Sequence, residues 1–240
     1  MTDNITDFIP APDSAPVLFR VFALDEKTHR SVDEINSFGY DSLEAKTVES
    51  PSEIAPLPDD RMAIFLAASP ADGLEEMLRR FRDAGVLTLL VAPEDFNVAP
   101  DCYDSLSIAA PDKMTSTVRT IADFICLNGM INLDFHDIAT ALRGRRHFMS
   151  CSSTRSGENR MPEAIADIMS GLGEDADIQS LILGLYFNPD SPNPLFMKEV
   201  SLIPERIKSL PENVDVVWGA YHDATLPPDA VRLSAIAARG

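Results

Sequence analysis

The sequence predicts an α/β fold: a truncated Rossmann-like parallel sheet, a central connecting helix, then a smaller α/β subdomain on a mixed sheet. Three observations predict it. Short continuous apolar runs such as "MAIFLAA" (62–68) and "VLTLLVAP" (86–93) read as strands buried on both faces. Amphipathic stretches alternate with them, as parallel crossovers require. The last third changes character, ending on "VDVVWGAYH" (214–222), a turn through "TLPPD", and "VRLSAIAA" (231–238), read as an antiparallel pair.

The elements follow in order. Residues 1–16 hold three prolines and three aspartates and read as a flexible tail. "VLFRVFALD" (17–25) is a buried strand, "KTHRSVDEINSFG" (27–39) a short helix and "LEAKTVES" (43–50) a second strand. A proline-punctuated loop, "PSEIAPLPDDR", leads into strand 62–68. "GLEEMLRRFRDAG" is a helix closed by Gly85, followed by strand 86–93 and "YDSLSIAA" (103–110). "MTSTVRTIADFICLNG" (114–129) is the central helix, with Val118, Ile121, Ile125 and Leu127 towards one side. "INLDFHDIATAL" runs through a loop into another helix ended by Gly144. Strand "HFMSCSS" (147–153), helix "GENRMPEAIADIMS", strand "LILGLYF" (181–187) and helix "FMKEVSLIPERIKSL" complete the chain. The divisions are therefore 1–16, 17–113, 114–145 and 146–240, with the boundary between subdomains around 130–146.

Composition narrows the function. The chain has 240 residues, 45% of them hydrophobic, and a net charge of −18 from 38 acids against 20 bases. So acidic a surface repels nucleic acid and anionic membranes, and neither is an expected partner. No apolar run is long enough to span a bilayer, and the N-terminus lacks a basic n-region and an apolar h-region, so a cytoplasmic protein is expected. Cys102, Cys126 and Cys151 are widely spaced and read as buried reduced thiols. The four histidines are scattered, so no metal is expected. The serines of "SCSSTRSGENR" lack a recognisable histidine–carboxylate pair and read as a strand end and helix cap. Arg143, Arg145 and Arg146 suit a helix C-terminus, with an anionic partner patch as the alternative.

From residue 118 to 170 a family resemblance emerges. "VRTIADFICLNGMINLDFHDIATAL" resembles the central helix and following loop of FtsZ, the tubulin-like cell-division GTPase family. "STRSGENRMPEAIADIMS" resembles that family's small-residue turn and acidic, Ala-rich helix, and "VDVVWGAYHD…VRLSAIAARG" its last two strands. "MAIFLAA", "AGVLTLLVAPEDF" and "YDSLSIAAPDK" resemble the strands framing its nucleotide site, so the likeness covers roughly 17–240.

The departures bear on function. In that family the loop after "MAIFLAA" is a Gly- and Thr-rich phosphate cradle; here it is Ser69-Pro70-Ala71-Asp72-Gly73. Pro70 removes a donor, and Asp72, Glu75 and Glu76 place negative charge at the next helix's first turn, where they satisfy its dipole. A second Gly-rich turn is replaced by "EKTHRSVDE", the extra helix before the central one has no room between Lys113 and Met114, and the segment between Phe96 and Tyr103 is short. The resemblance thus implies a GTP-binding fold without a cofactor. It also implies that Asn132, Asp134 and Asp137 match the family's loop that completes a neighbour's GTPase site in trans, as catalytic residues. Another reading of that loop is open: Asn132 caps the helix starting at 134, and Asp134 is a first-turn acid. The expected partner is FtsZ, an FtsZ-like paralogue, or a second copy. A divergent GTPase that still binds GTP and polymerises, and an unrelated α/β enzyme using the cleft between subdomains, are the alternatives. The chain's end at Gly240 leaves no place for the family's terminal adaptor-binding peptide, so recruitment through it is not expected.

Overall fold

The computed structural model describes residues 18–173, 177–191, 195, 197–208 and 210–240; the expected tail at 1–16 lies outside them. Strands β1 (Leu18–Ala23), β2 (Leu43–Thr47), β3 (Asp60–Leu66), β4 (Leu87–Ala92) and β5 (Ser105–Ile108) pair in parallel in the order β2-β1-β3-β4-β5. Their apolar runs are continuous because helices cover both faces. Helix α1 (Glu26–Asn36) buries Val32 and Ile35 against Phe19 and Val21 on one face. Helix α2 (Leu74–Asp83) buries Leu74, Met77, Leu78 and Phe81 against Phe22, Phe65 and Leu90 on the other. The ring of Phe81 meets those of Phe22 and Phe65 edge-on at 5.5 and 5.2 Å.

The second half continues the same sheet. Strands β7 (His147–Ser156), β10 (Ala230–Arg239), β8 (Ile178–Phe187), β9 (Asp215–His222) and β6 (Gly129–Ile131) extend it in that order from β5. Pairing is antiparallel except between β8 and β9, so this half is mixed as expected. One expectation is corrected: β9 and β10 do not pair, because β8 lies between them. Apolar periodicity identifies a strand but not its neighbour, and the buried β8 takes the place between them. The two halves join where β5 meets β7 in parallel, at Leu106 opposite His147 and Ser107 opposite Phe148.

Helix α3 (Met114–Cys126) seals this joint. Its Met114, Val118, Ile121 and Phe124 share one core cluster with Val21 and Ile64 of the first half and Ile182 and Ile236 of the second. It ends three residues before the expected Gly129, because 129–131 leave the helix to pair with β9. Helix α4 (Phe135–Leu142) packs on that same face, while α5 (Arg160–Leu172) covers the opposite face of β7, β10 and β8. The helix expected at 196–210 is two pieces, α6 (Met197–Val200) and α7 (Leu202–Ile207). Pro204 explains the break: it has no N–H for the Val200 carbonyl, and its ring crowds that carbonyl.

Candidate functional site

In a parallel sheet of order 2-1-3-4-5, the chain leaves β1 towards one edge and β3 towards the other. Ligands of such sheets bind at that switch point, beyond the strands' C-terminal ends. Here the switch point is formed by the turn from β1 into α1 and the loop from β3 into α2. Asp25 occupies it. Its Oδ1 accepts from the backbone N–H groups of Lys27 at 3.0 Å and Thr28 at 3.2 Å, capping α1. Its Oδ2 accepts from the N–H groups of Ala68 at 2.6 Å and Ser69 at 3.2 Å in the β3–α2 loop. Thr28 Oγ1 in turn accepts from the Asp25 N–H at 3.2 Å, closing a capping box. One carboxylate therefore ties together the N-terminus of a helix and the loop from the neighbouring strand, satisfying N–H groups of both.

The acids singled out in the sequence behave differently. Glu75 Oε1 accepts from the Ala99 N–H at 3.1 Å, pinning the short β4–β5 connection, and Asp72 and Glu76 are exposed. The N-cap of α2 is Gly73, with φ of 79° and no side-chain cap bond. That left-handed backbone is where the loop needs its glycine. Glu75 and Glu76 do stand in the first turn of α2, as expected, but no side chain caps it; the N–H groups at the start of the loop, Ala68 and Ser69, are satisfied by Asp25. As expected, the chain passes from β5 to α3 through residues 109–113 alone, without an intervening helix. A cleft beside the switch point is lined by Glu26, Lys27, Arg30, Pro111 and Asp112.

At the other end of α3, β6 is the last strand of the sheet. Met130 and Ile131 on it are exposed, at 65% and 43%. Asn132 and Asp134 follow, also exposed, and Asp137 is half-buried. Asn132 Oδ1 accepts from the Gly129 N–H at 2.8 Å, so it braces the loop backwards instead of capping the helix. Asp134 is itself the N-cap of α4, accepting from the Asp137 N–H at 2.8 Å. Asp137 shares a groove with His136, Thr140 and Asp215. The three residues fall within one loop and first helical turn, after the C-terminal end of α3, whereas the cleft beside the switch point takes Pro111 and Asp112 from just before its N-terminal end.

No protein-family model matches the chain. Over 159 residues it is 26% identical to Cell division protein FtsZ 1 of Methanocaldococcus jannaschii, covering 65% of this chain and 42% of that protein. Over 130 residues it is 32% identical to Cell division protein FtsZ of Coxiella burnetii, covering 53% of this chain and 33% of that one. A solved structure of an FtsZ variant from M. jannaschii superposes with a TM-score of 0.75 at 13% identity, over 92% of this chain and 91% of the other. The fold is FtsZ/tubulin-like. CetZ2 from Haloferax volcanii, solved as a GTPγS-bound protofilament, has the same fold, with a TM-score of 0.64 at 9% identity over 92% of each chain. This FtsZ-like chain spans about two fifths or less of the length of the curated relatives it matches.

Two residues central to the FtsZ-like fold of this chain escaped the sequence reading. Asp25 could have been found from the signal Asp-x-x-Thr directly after an apolar strand, a capping-box spacing. Asp123 could have been found as the one acid in "TIADFIC", four residues after Arg119. It is fully buried and accepts from Tyr40 Oη at 2.5 Å, Arg119 Nε at 2.7 Å and Arg232 Nη1 at 2.5 Å. Arg232 also donates to Asp223 at 2.9 Å and lies over the Tyr186 ring at 3.9 Å. Burial opposes the Arg232 charge, but Asp123 and Asp223 outweigh it and hold its pKa above the ordinary value. Burial, reinforced by Asp123, likewise pushes the Tyr40 hydroxyl well up. Among the described residues no cluster of His, Cys, Asp and Glu could hold a metal, and no helix is long and apolar enough to cross a membrane.

Proposed function

We propose that this chain is a non-catalytic, FtsZ-like cytoplasmic protein that does not bind GTP and acts through its surface on FtsZ-type filaments. The observation that carries the reading is Asp25 at the switch point. A phosphate entering there inherits only the bonds the carboxylate gives up, so the exchange is at best even. It also leaves the Asp25 charge about 4–6 Å away, a penalty on the order of 3–4 kcal/mol at an effective dielectric near 20. A micromolar ligand has only about 8 kcal/mol in all.

What remains is the opposite end. Exposed Met130 and Ile131 beside the acids Asp134 and Asp137 form a mixed apolar and acidic face at the last strand. The partner for this face is the exposed nucleotide end of an FtsZ or FtsZ-like paralogue, or a second copy of the chain. Docking there caps a filament or limits its growth, with Asn132, Asp134 and Asp137 reaching the neighbour's site. Two measurements test it. Titration of labelled GTP gives no saturable binding up to high micromolar concentration. Added substoichiometrically, the protein shortens FtsZ polymers in sedimentation and light scattering. Micromolar GTP binding overturns the reading in favour of a divergent GTPase, and unchanged polymers overturn the filament partner.

A further inference from the structure

The cleft beside α1, the groove at Asp137, the apolar cavity under α7 and the buried Asp123 cluster each have a structural role or lack an identified occupant. The switch point holds something more specific: an anion already in place. Its two carboxylate oxygens divide four donors evenly, two from a helix N-terminus and two from a loop on the neighbouring strand. An ordinary N-cap uses one helix and leaves the second oxygen to solvent. Here that oxygen makes the shortest of the four contacts, 2.6 Å to the Ala68 N–H, in the range of a charge-assisted bond.

We propose that the Asp25 carboxylate is an internal ligand, an intramolecular stand-in for an oxyanion, that keeps the β3–α2 loop ordered without any bound nucleotide. This deepens the reading above and rests on it. The consequence is specific. Without the carboxylate, Thr28 keeps the Asp25 main-chain carbonyl as acceptor at 2.9 Å, but the N–H groups of Lys27, Ala68 and Ser69 lose theirs, and a free tetrahedral oxyanion such as inorganic phosphate takes its place. The loop that tolerates Pro70 does so because Pro70 lies just beyond the two donors used, Ala68 and Ser69.

The test compares the full chain with Asp25→Ala and Asp25→Asn. Wild type should have a melting temperature indifferent to inorganic phosphate beyond the effect of sodium chloride at equal ionic strength. Asp25→Ala should melt about 2–4 °C lower and recover most of that loss saturably in millimolar phosphate, but not in chloride. Asp25→Asn, which retains a capping oxygen for α1, guards against failure of the alanine variant to fold. It should keep amide protection at Lys27 and Thr28 while losing at least tenfold protection at Ala68 and Ser69, regained with phosphate. Loss of stability with no phosphate-specific recovery in either variant overturns the proposal and leaves Asp25 a plain helix cap. Titrating wild type with labelled GTP reads the parent proposal separately, since that result does not depend on what the variants do with phosphate.

Discussion

Asp123 is held in the last turn of the central helix without solvent exposure, and two guanidinium groups and a hydroxyl converge on it, from Arg119 one turn earlier, Arg232 on β10 and Tyr40 in the α1–β2 connection. Such a cluster is stable only when complete, because each member compensates another's desolvation. Asp123→Ala should therefore cost about 3–5 kcal/mol, read as a lower urea midpoint with an unchanged slope. A loss below about 1 kcal/mol would mean that water reaches Arg232. The thiols give a second residue-scale prediction. Burial pushes Cys102 up to about 11 and Cys151 up to about 12. At pH 8 the thiolate of Cys102 is then roughly a thousandth of the total, and that of Cys151 less. Alkylation of Cys102 and Cys151 in the native chain at pH 8, followed site by site, should run at least about 100-fold slower than in urea, and comparable rates refute their burial. Neither the Asp25 nor the Asp123 arrangement was fully legible beforehand, because some of its partners lie in other elements. Sequence spacing gives Asp25 and Thr28, or Arg119 and Asp123, but not the N–H of Ala68 or the guanidinium of Arg232.

Elements were legible where one physical signal decided them. The parallel strands announced themselves by continuous apolar runs, and α2 and α5 by amphipathic spacing. What remained hidden was pairing and competition. "NGMIN" reads as a helix end, yet β6 forms because Gly129 lets the backbone approach β9. A methyl group there would lie 2.2 Å from the Ala220 carbonyl oxygen. Gly129→Ala should thus detach β6, exposing the amides of 129–131 and 220–221 to rapid hydrogen exchange while the β1–β5 amides stay protected. Retained protection at 129–131 would show that the strand can shift to accommodate a side chain. The neighbouring loop allows its two readings to be separated within one element. Asn is as good an N-cap as Asp, so Asp134→Asn should leave the melting temperature within about 1 °C while removing one charge from the docking face. If the loop acts in trans, this variant alters the protein's effect on FtsZ polymer length and GTP turnover; an effect identical to wild type assigns Asp134 to capping alone.

The whole molecule is one sheet whose halves meet through two strand residues on each side, reinforced by α3 and its buried charge cluster. Its outline could be read in advance from the apolar runs and the family resemblance, and the adjacency of β9 with β10 was misjudged because neither signal says which strands pair. Of the thiols and phenols, Cys102, Tyr186 and Tyr221 are buried while Cys126, Cys151 and Tyr40 are only half-buried, so the expectation of three buried thiols is corrected for two of them, and this placement sets the response to pH. Burial raises the pKa of Cys102, Cys126 and Cys151, and of Tyr40, Tyr186 and Tyr221, the last to about 12. Each is neutral when protonated and keeps its proton longer folded than unfolded. The stability it contributes is complete below the ordinary value and is lost as pH rises towards the folded one. On the acid side Asp223, though burial opposes its charge, is held below the ordinary carboxylate value by Thr225 and Arg232, so its contribution is present at neutral pH and lost as pH falls through the acid range. The melting temperature should therefore be level from about pH 6 to 8 and decline from about pH 9, the thiols acting first and the phenols above about pH 10. Replacing Cys151 by alanine should shift the start of that decline upward, because one of the groups forced to ionise on unfolding is gone. A melting temperature that stays level to pH 10.5 contradicts the burial of these groups, and with it the packing of α5 on β7 where Cys151 lies.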